Sequence, residues 1–541
     1  MRRAHNRPGG TNYLLRSDVG MHAHNRSGLT MADSGQHASN APAMVEGSGA
    51  AAAGPRSTVG FVGLFALVVS AMVGGGIFSL PQNMAQHASA GGQIVAWAIT
   101  GVGMWFIVNT FRVLTHVKPH MQDGLYSYAR SGFGDFVGFL VAYGYWLCNC
   151  FSLVAYGVLI MSTLDIFMPG TFTNGNNVAA TIGSSLILWL MLAVALLGTK
   201  TGALINVAGT VCKIIPVIVF VVALAAVFKT GVFLRGFWGL GAQGTPLGFD
   251  VHRIGAQVSD SMLVTLWLFI GMEGAVVVSG SARHPRDVSR ATTAGYLTVL
   301  VLYILVSLLP LGVYSSGQVA RMPNPSMSVI MEQCFGQGGS IMVNAGVIIS
   351  VVFAWLVWMI MISQMPLYAA RDGIYPRSFL ATNRFGAPST GLVWTAVTCQ
   401  LLLILCHFVN GDAWDVMISI TSVMAMPCYL LCCVYLWKIA VREPPAFPSA
   451  AARRRALATG VLGTLFSLFL VYSAGLRYLM MACALYAIGL PLLVVARRQR
   501  RPGVPLRQLF SHRGWVVLSL IVVLGVCGLV YTVHGGVFGV A

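Results

Sequence analysis

The sequence predicts an all-α polytopic membrane protein of about thirteen helices, the first ten forming a 5+5 inverted repeat with helices one and six broken in mid-membrane. Three observations carry that prediction. Hydrophobic residues make up 56% of the 541 positions and charged residues only 9%, against about 25% charged in a soluble domain. Apolar runs of about 20 residues recur along the chain, each long enough to cross about 30 Å of hydrocarbon as a helix. Two of them, the first and the sixth, are interrupted near their centres by glycines.

The predicted spans are Thr58–Met84, Gly92–Leu114, Gly134–Thr163, Val178–Gly198, Ala203–Lys229, Ala256–Gly280 and Ala291–Gly317. They continue with Ser340–Ala369, Gly391–Val409, Trp414–Trp437, Ala456–Ala474, Arg477–Ala496 and Trp515–His534. This divides the chain into a polar tail (1–57), a ten-helix core (58–440) and additional C-terminal helices (441–541). The tail is rich in Gly, Ser, His and Arg and has no apolar run of signal-peptide length. It reads as a disordered cytoplasmic segment, or as an over-long gene start with Met21, Met31 and Met44 as alternatives.

Lys and Arg fall unequally between alternate loops. One side collects 27 of them and the other five, Lys229, Arg235, Arg253, Arg321 and Arg477. The positive-inside rule then puts the N-terminus in the cytoplasm, and an odd span count puts Ala541 outside. The same asymmetry explains the formal net charge of +18 without a nucleic acid. The basic residues lie between apolar runs, facing anionic lipid headgroups, and make no aromatic-interleaved groove. Several of the 11 cysteines, such as Cys148, Cys150, Cys428, Cys432 and Cys433, lie inside apolar runs without zinc-ligand spacing, and read as small buried hydrophobes. His5, His22, His24 and His37 are too scattered for a metal site, and no cofactor is expected. Beyond the tail, no loop exceeds about 30 residues, too few for the soluble catalytic or ligand domain that an enzyme or receptor would need.

The first span contains Ser70-Ala71-Met72-Val73-Gly74-Gly75-Gly76-Ile77-Phe78, with Pro81 shortly after. Each glycine costs a helix about 1 kcal/mol relative to alanine, so the helix should break there. Lipid cannot satisfy the freed backbone groups, but a ligand can. Amides opening the second half suit a carboxylate, and carbonyls ending the first half suit an ammonium. An amino acid backbone offers both. The alternative, close helix packing, prefers small-xxx-small spacing over adjacent glycines.

The sixth span contains Trp267-Leu268-Phe269-Ile270-Gly271-Met272-Glu273-Gly274. Glu273 is the only acidic residue deep inside a predicted span, so it should face a cavity, a partner or a proton. The alternative is a protonated strut that hydrogen-bonds between helices. The two interrupted spans are five apart, as an inverted repeat requires, with the site between the breaks. Lys213, in the fifth span, needs carbonyls, a carboxylate or neutrality if buried. It stands in for a bound cation beside the first helix, or it snorkels to the cytoplasmic interface. Tyr145, Trp146, Trp355 and Trp358 lie at mid-membrane depth, where aromatics can hold a cation by about 0.5–2 kcal/mol each.

These residues resemble the amino acid–polyamine–organocation superfamily. Val73-Gly74-Gly75-Gly76-Ile77-Phe78 with Leu80-Pro81 is similar to its first-helix signature. So is Gly124-Leu125-Tyr126-Ser127-Tyr128-Ala129-Arg130 with Phe133-Gly134 to a second family motif. Trp267–Gly274 and Arg371-Asp372-Gly373-Ile374-Tyr375-Pro376 resemble the basic amino acid and polyamine antiporter branch, and Ser79–Met84 its arginine–ornithine exchangers. The likeness runs from Val59 to Trp437.

The resemblance implies a leucine-transporter-like fold in a bacterial inner membrane and exchange of arginine for ornithine, or for a related basic amino acid such as lysine, by alternating access. Proton-coupled uptake, with Lys213 or Glu273 as carrier, is the alternative. It implies a substrate carboxylate on the amides of Gly75 and Gly76, next to Gly74, and an ammonium on carbonyls of Met72, Trp267 and Ile270. Trp267 would cover the substrate side chain, Tyr145 and Trp358 would gate, and Glu273 would sense proton or substrate. It also admits a homodimer. Two departures stand out. Gly75 occupies a place that is often serine, and Leu153 falls where a relative binds the guanidinium, with Asn149 one turn earlier.

Overall fold

A chain in lipid must satisfy its backbone internally, so long apolar runs become helices. The computed structural model follows that rule. It describes residues 60–534 except 120, 122–124, 242–243, 274–283 and 410–411, and gives the backbone course alone at 199–212, 285, 513 and 533. The predicted tail, residues 1–57, lies outside the described residues.

The first apolar run is α1 (Phe61–Met72), a 3-10 turn (Gly75–Phe78) and α2 (Leu80–His87). Then come α3 (Ala90–Val117), α4 (Leu125–Phe133), α5 (Asp135–Asp165), α6 (Val178–Ala195), α7 (Thr199–Val227), α8 (Thr230–Leu234) and α9 (Val251–Phe269). The second part of the core comprises α10 (Pro285–Leu308), α11 (Ser316–Ala320), α12 (Ser326–Phe335), α13 (Gln337–Arg371), α14 (Ser389–Cys406) and α15 (Ala413–Arg442). The chain closes with α16 (Ala450–Ser473), α17 (Gly475–Arg500) and α18 (His512–His534). Among the described residues ten helices are long and apolar enough to cross a membrane. The three remaining predicted spans coincide with the interrupted first run, with α7 and with α9.

The packing carries the internal symmetry. If the second five spans repeat the first five, each contact between two spans should recur with both partners shifted by five. It does. α1 packs on α10, and its counterpart α9 packs on α3. α5 packs on α15, and α13 packs on α7. The self-paired contacts, α5 with α13 and α6 with α14, are also made. The interrupted elements α1 and α9 therefore occupy equivalent places about one axis, as inverted repeats predict.

The C-terminal helices lie against this frame. α16 packs on α3 and α15, where the ring of Phe466 occupies the space a side chain at Gly103 would need. α17 is tied to the core by Tyr143, whose hydroxyl donates to the Leu485 carbonyl (3.1 Å), and by Tyr486, which donates to Met424 (3.2 Å). α18 packs on α17.

Candidate functional site

Helix α5 runs the length of the core and serves as a ruler, at about 1.5 Å per residue. Its start carries an ion-pair network, its Tyr145 turn a buried carboxylate, and the Asn149–Tyr156 stretch a cavity. The cavity lies between the two interruptions.

The first interruption begins where α1 ends at Met72. Val73 leaves helical geometry (φ −75°, ψ 79°) and Gly74 is extended (φ −91°, ψ −154°) before the turn Gly75–Phe78 resumes. The opening amides of such a turn have no partner within it. The three glycines answer a demand for space. A Cβ on Gly74 would meet the Tyr156 hydroxyl at 2.7 Å, and one on Gly75 would meet Leu159 Cδ2 at 2.9 Å and Val351 Cγ2 at 3.0 Å. A Cβ on Gly76 would fall inside the Trp267 ring.

The second interruption follows α9. Ile270 turns extended (φ −60°, ψ 128°) and Gly271 adopts φ +106°, a conformation that favours glycine. A Cβ on Gly271 would also meet the Ala71 carbonyl oxygen at 2.7 Å, so the breaks touch here. Gly274, the other glycine of this motif, lies outside the described residues. Tyr303 of α10 joins the breaks from behind: its hydroxyl lies 2.7 Å from the Met72 carbonyl oxygen and 3.0 Å from that of Leu268. One hydroxyl proton serves only one of these at a time. The Met72 carbonyl also accepts from the Gly74 amide at 2.8 Å.

Between the breaks is a small cavity of about 20 Å³, room for about one water in this closed arrangement. Its backbone wall is Ala71, Met72, Gly74, Gly76, Leu268 and Ile270; Trp267 and Trp358 are its aromatic walls, and Asn149, Ser152 and Tyr156 of α5 line it as well. The sequence-predicted residues Met72, Gly74, Gly76, Trp267, Ile270 and Trp358 are thus brought together, while Gly75 sits behind them against α5 and α13. Trp267 Nε1 faces the Ser152 hydroxyl at 3.4 Å. The amide nitrogen of Asn149 donates to the Tyr145 carbonyl (2.7 Å), which leaves the Asn149 carbonyl group as acceptor.

Glu273 does not line the cavity. It closes the bundle on the Tyr145 side and is 1% exposed. One carboxylate oxygen accepts from the Tyr145 hydroxyl; the other accepts from the Gly271 amide (3.2 Å) and the Tyr429 hydroxyl of α15 (3.3 Å). Sequence reasoning missed Tyr429, Ser152, Tyr156 and Tyr303. Each is an ordinary core residue by pattern, and only the fold brings it to the breaks.

Lys213 is 2% exposed, so it does not snorkel. Its ammonium donates to the carbonyl (2.8 Å) and hydroxyl (3.1 Å) of Ser70, in the last turn of α1. Further along, at the start of α5, Arg130 pairs with Asp135 (2.9 Å) and Asp372 (2.7 Å), and Arg500 of α17 with Asp135 (3.0 Å). On the other side of the cavity Trp267 packs edge-on against Trp414 of α15, ring centroids 5.3 Å apart.

Comparison with known proteins places this geometry in context. Residues 59–524 match the amino acid permease family. The chain is 42% identical over 475 residues to a Clostridium perfringens protein named for amino-acid transport, covering 87% of this chain and 98% of that one. It is 42% identical over 445 residues to the arginine/agmatine antiporter of Chlamydia pneumoniae (82% and 91% covered). With the arginine/agmatine antiporter of Chlamydia felis the identity is 38% over 477 residues (88% and 96%). The fold is similar to the crystal structure of MhsT in complex with L-phenylalanine, with TM-score 0.54 and 15% identity over 78% of this chain and 100% of that chain. The leucine-transporter-like architecture expected from the motifs is the one observed.

Proposed function

The chain belongs to the amino acid permease family, and on that basis we propose that it is an antiporter of basic amino acids that works by alternating access. The observation that supports this reading most is the cavity between two interrupted helices, with backbone polar groups on one wall and two tryptophans on the others. Amides of Gly75 and Gly76 would receive the substrate carboxylate. The ammonium would turn to the carbonyls near Ile270, because the Met72 carbonyl already accepts from the Gly74 amide and shares the Tyr303 hydroxyl with Leu268. Trp267 and Trp358 would hold a cationic side chain by their faces, and the Asn149 and Ser152 oxygens would accept its N–H groups.

Arginine is the proposed common substrate. Ornithine is the counter-substrate that the motifs favour, and relatives named as arginine/agmatine antiporters add agmatine to the panel. Glu273 and the two tyrosines form the proposed inner gate, and Trp267 with Trp414 the outer one. Lys213 would supply a fixed cation at α1, which lets the loaded carrier reorient without a bound ion. We place the face bearing Arg130 and Arg500 in the cytoplasm, because that side collects the basic loops. Labelled arginine flux into liposomes tests the reading. Internal arginine, ornithine, lysine or agmatine should stimulate uptake one by one. Uptake that depends on a proton gradient and ignores internal substrate would favour the uptake permease instead.

A further inference from the structure

At the Asp165 end of α5 a second cavity, of about 620 Å³, lies across the Trp267–Trp414 pair from the first. Gln82, Asp165, Arg321, Asn324, Asp412 and Trp414 are among its walls. Its chemistry is lopsided. The two carboxylates are fixed by backbone amides: Asp165 accepts from Phe172 (2.7 Å), and Asp412 from Trp414 (3.0 Å) and Asp415 (3.3 Å). Gln82 is 5% exposed, yet its side-chain oxygen finds no donor among the described residues. The Asn324 side-chain oxygen finds none either. A buried acceptor left unmade costs about 1–3 kcal/mol, so such groups call for a ligand or solvent donor. Arg321 is the one cation on these walls and makes no ion pair among the described residues.

Two carboxylates and one guanidinium give the walls a charge of minus one, with surplus acceptors. A basic amino acid is the complement: two cationic groups rich in N–H donors, one carboxylate, and a charge of plus one. We propose that this vestibule is a second, outer binding site for the basic amino acid, which holds the α-carboxylate on Arg321 and the cationic groups on Asp165, Asp412 and Gln82. The proposal rests on the basic amino acid reading of the central site. It adds a selection step. A decarboxylated amine has nothing to offer Arg321, so the vestibule favours the amino acid over the amine for substrate arriving from its side. Trp414 forms the vestibule wall and touches Trp267, the cover of the central cavity, so occupancy of one site bears on the gate to the other.

The test uses full-length protein in cells, reading the external KM for arginine and agmatine. The isosteric pair Asp165→Asn with Asp412→Asn keeps the oxygens that hold Phe172, Trp414 and Asp415. It should raise the external arginine KM by about ten-fold at low salt, with the maximal rate and the internal KM unchanged. The difference should shrink at about 0.5 M salt, where charges are screened beyond a few ångströms. Arg321→Gln should raise the external KM for arginine and leave that for agmatine in place. If the wild type exchanges arginine while these variants keep its external KM for both compounds, the outer site is overturned and the transport reading stands. If the wild type exchanges no basic amino acid, the transport reading falls and the outer site falls with it.

Discussion

Glu273 meets three donors inside the bundle, where water does not reach it: two tyrosine hydroxyls and one backbone amide. That arrangement suits the charged carboxylate, which only accepts. A proton on Glu273 would turn one acceptor into a donor and release a tyrosine. Glu273→Gln imitates that change permanently and cannot titrate. Exchange should fall on the order of ten-fold, the effect of one hydrogen bond to a charged group at about 1.5 kcal/mol, and lose its pH dependence. Glu273→Ala should be worse, because it strands both tyrosines. Wild-type behaviour of the Gln variant at every pH would reduce Glu273 to a neutral strut. Gly76 makes a second point at the same level. Its missing Cβ is the space that the Trp267 ring fills. Gly76→Ala should push Trp267 away and cost most of the exchange while the protein stays folded, with a changed tryptophan emission. Unchanged emission and rate would separate Trp267 from the site. Gly75→Leu should abolish exchange as well, since even a Cβ there presses on Leu159 and Val351.

The interrupted helices were legible in the sequence because their cause is local. Gly74, Gly75 and Gly76 in a row cost a helix about 1 kcal/mol each, and Gly271 admits the positive φ that ends α9. Glu273 was legible because a carboxylate in an apolar run needs a reason. Its partners were not. Tyr145 came from the family likeness, and Tyr429 lies on α15, brought in only by the packing of α5 on α15. Lys213 left two readings open from sequence; its burial against Ser70 speaks against snorkelling, because α7 presses the side chain into the bundle against α1, and the stand-in for a bound cation remains the proposal. Lys213 is thereby the pin between these two helices. Lys213→Met leaves the Ser70 carbonyl without that donor and should slow exchange several-fold while arginine affinity is retained, since α1 would lose a fixed position in one state of the cycle. A variant with wild-type turnover would make Lys213 a packing residue. The end of α17 bears on the same motion. Arg500 and Arg130 share Asp135, and Arg130 also holds Asp372, so an Arg500→Ala variant should raise turnover if opening that face is slow.

The bundle as a whole pairs two interrupted helices about one axis and surrounds them with contacts that recur after a shift of five spans. Two such halves can rock against each other around a fixed site, which is what alternating access requires. The C-terminal helices stand outside this repeat, and the proposed count of thirteen crossings places Ala541 on the periplasmic side. Reporter fusions at Ala541 and within 497–513 check it: the first should report the periplasm and the second the cytoplasm, and two cytoplasmic reports would refute the topology. The decisive measurement for the function is counterflow of labelled arginine with purified protein in liposomes. Exchange predicts rapid uptake into vesicles loaded with a basic amino acid or agmatine and almost none into empty ones. Equal uptake into empty vesicles, or no arginine uptake under any loading, would contradict it.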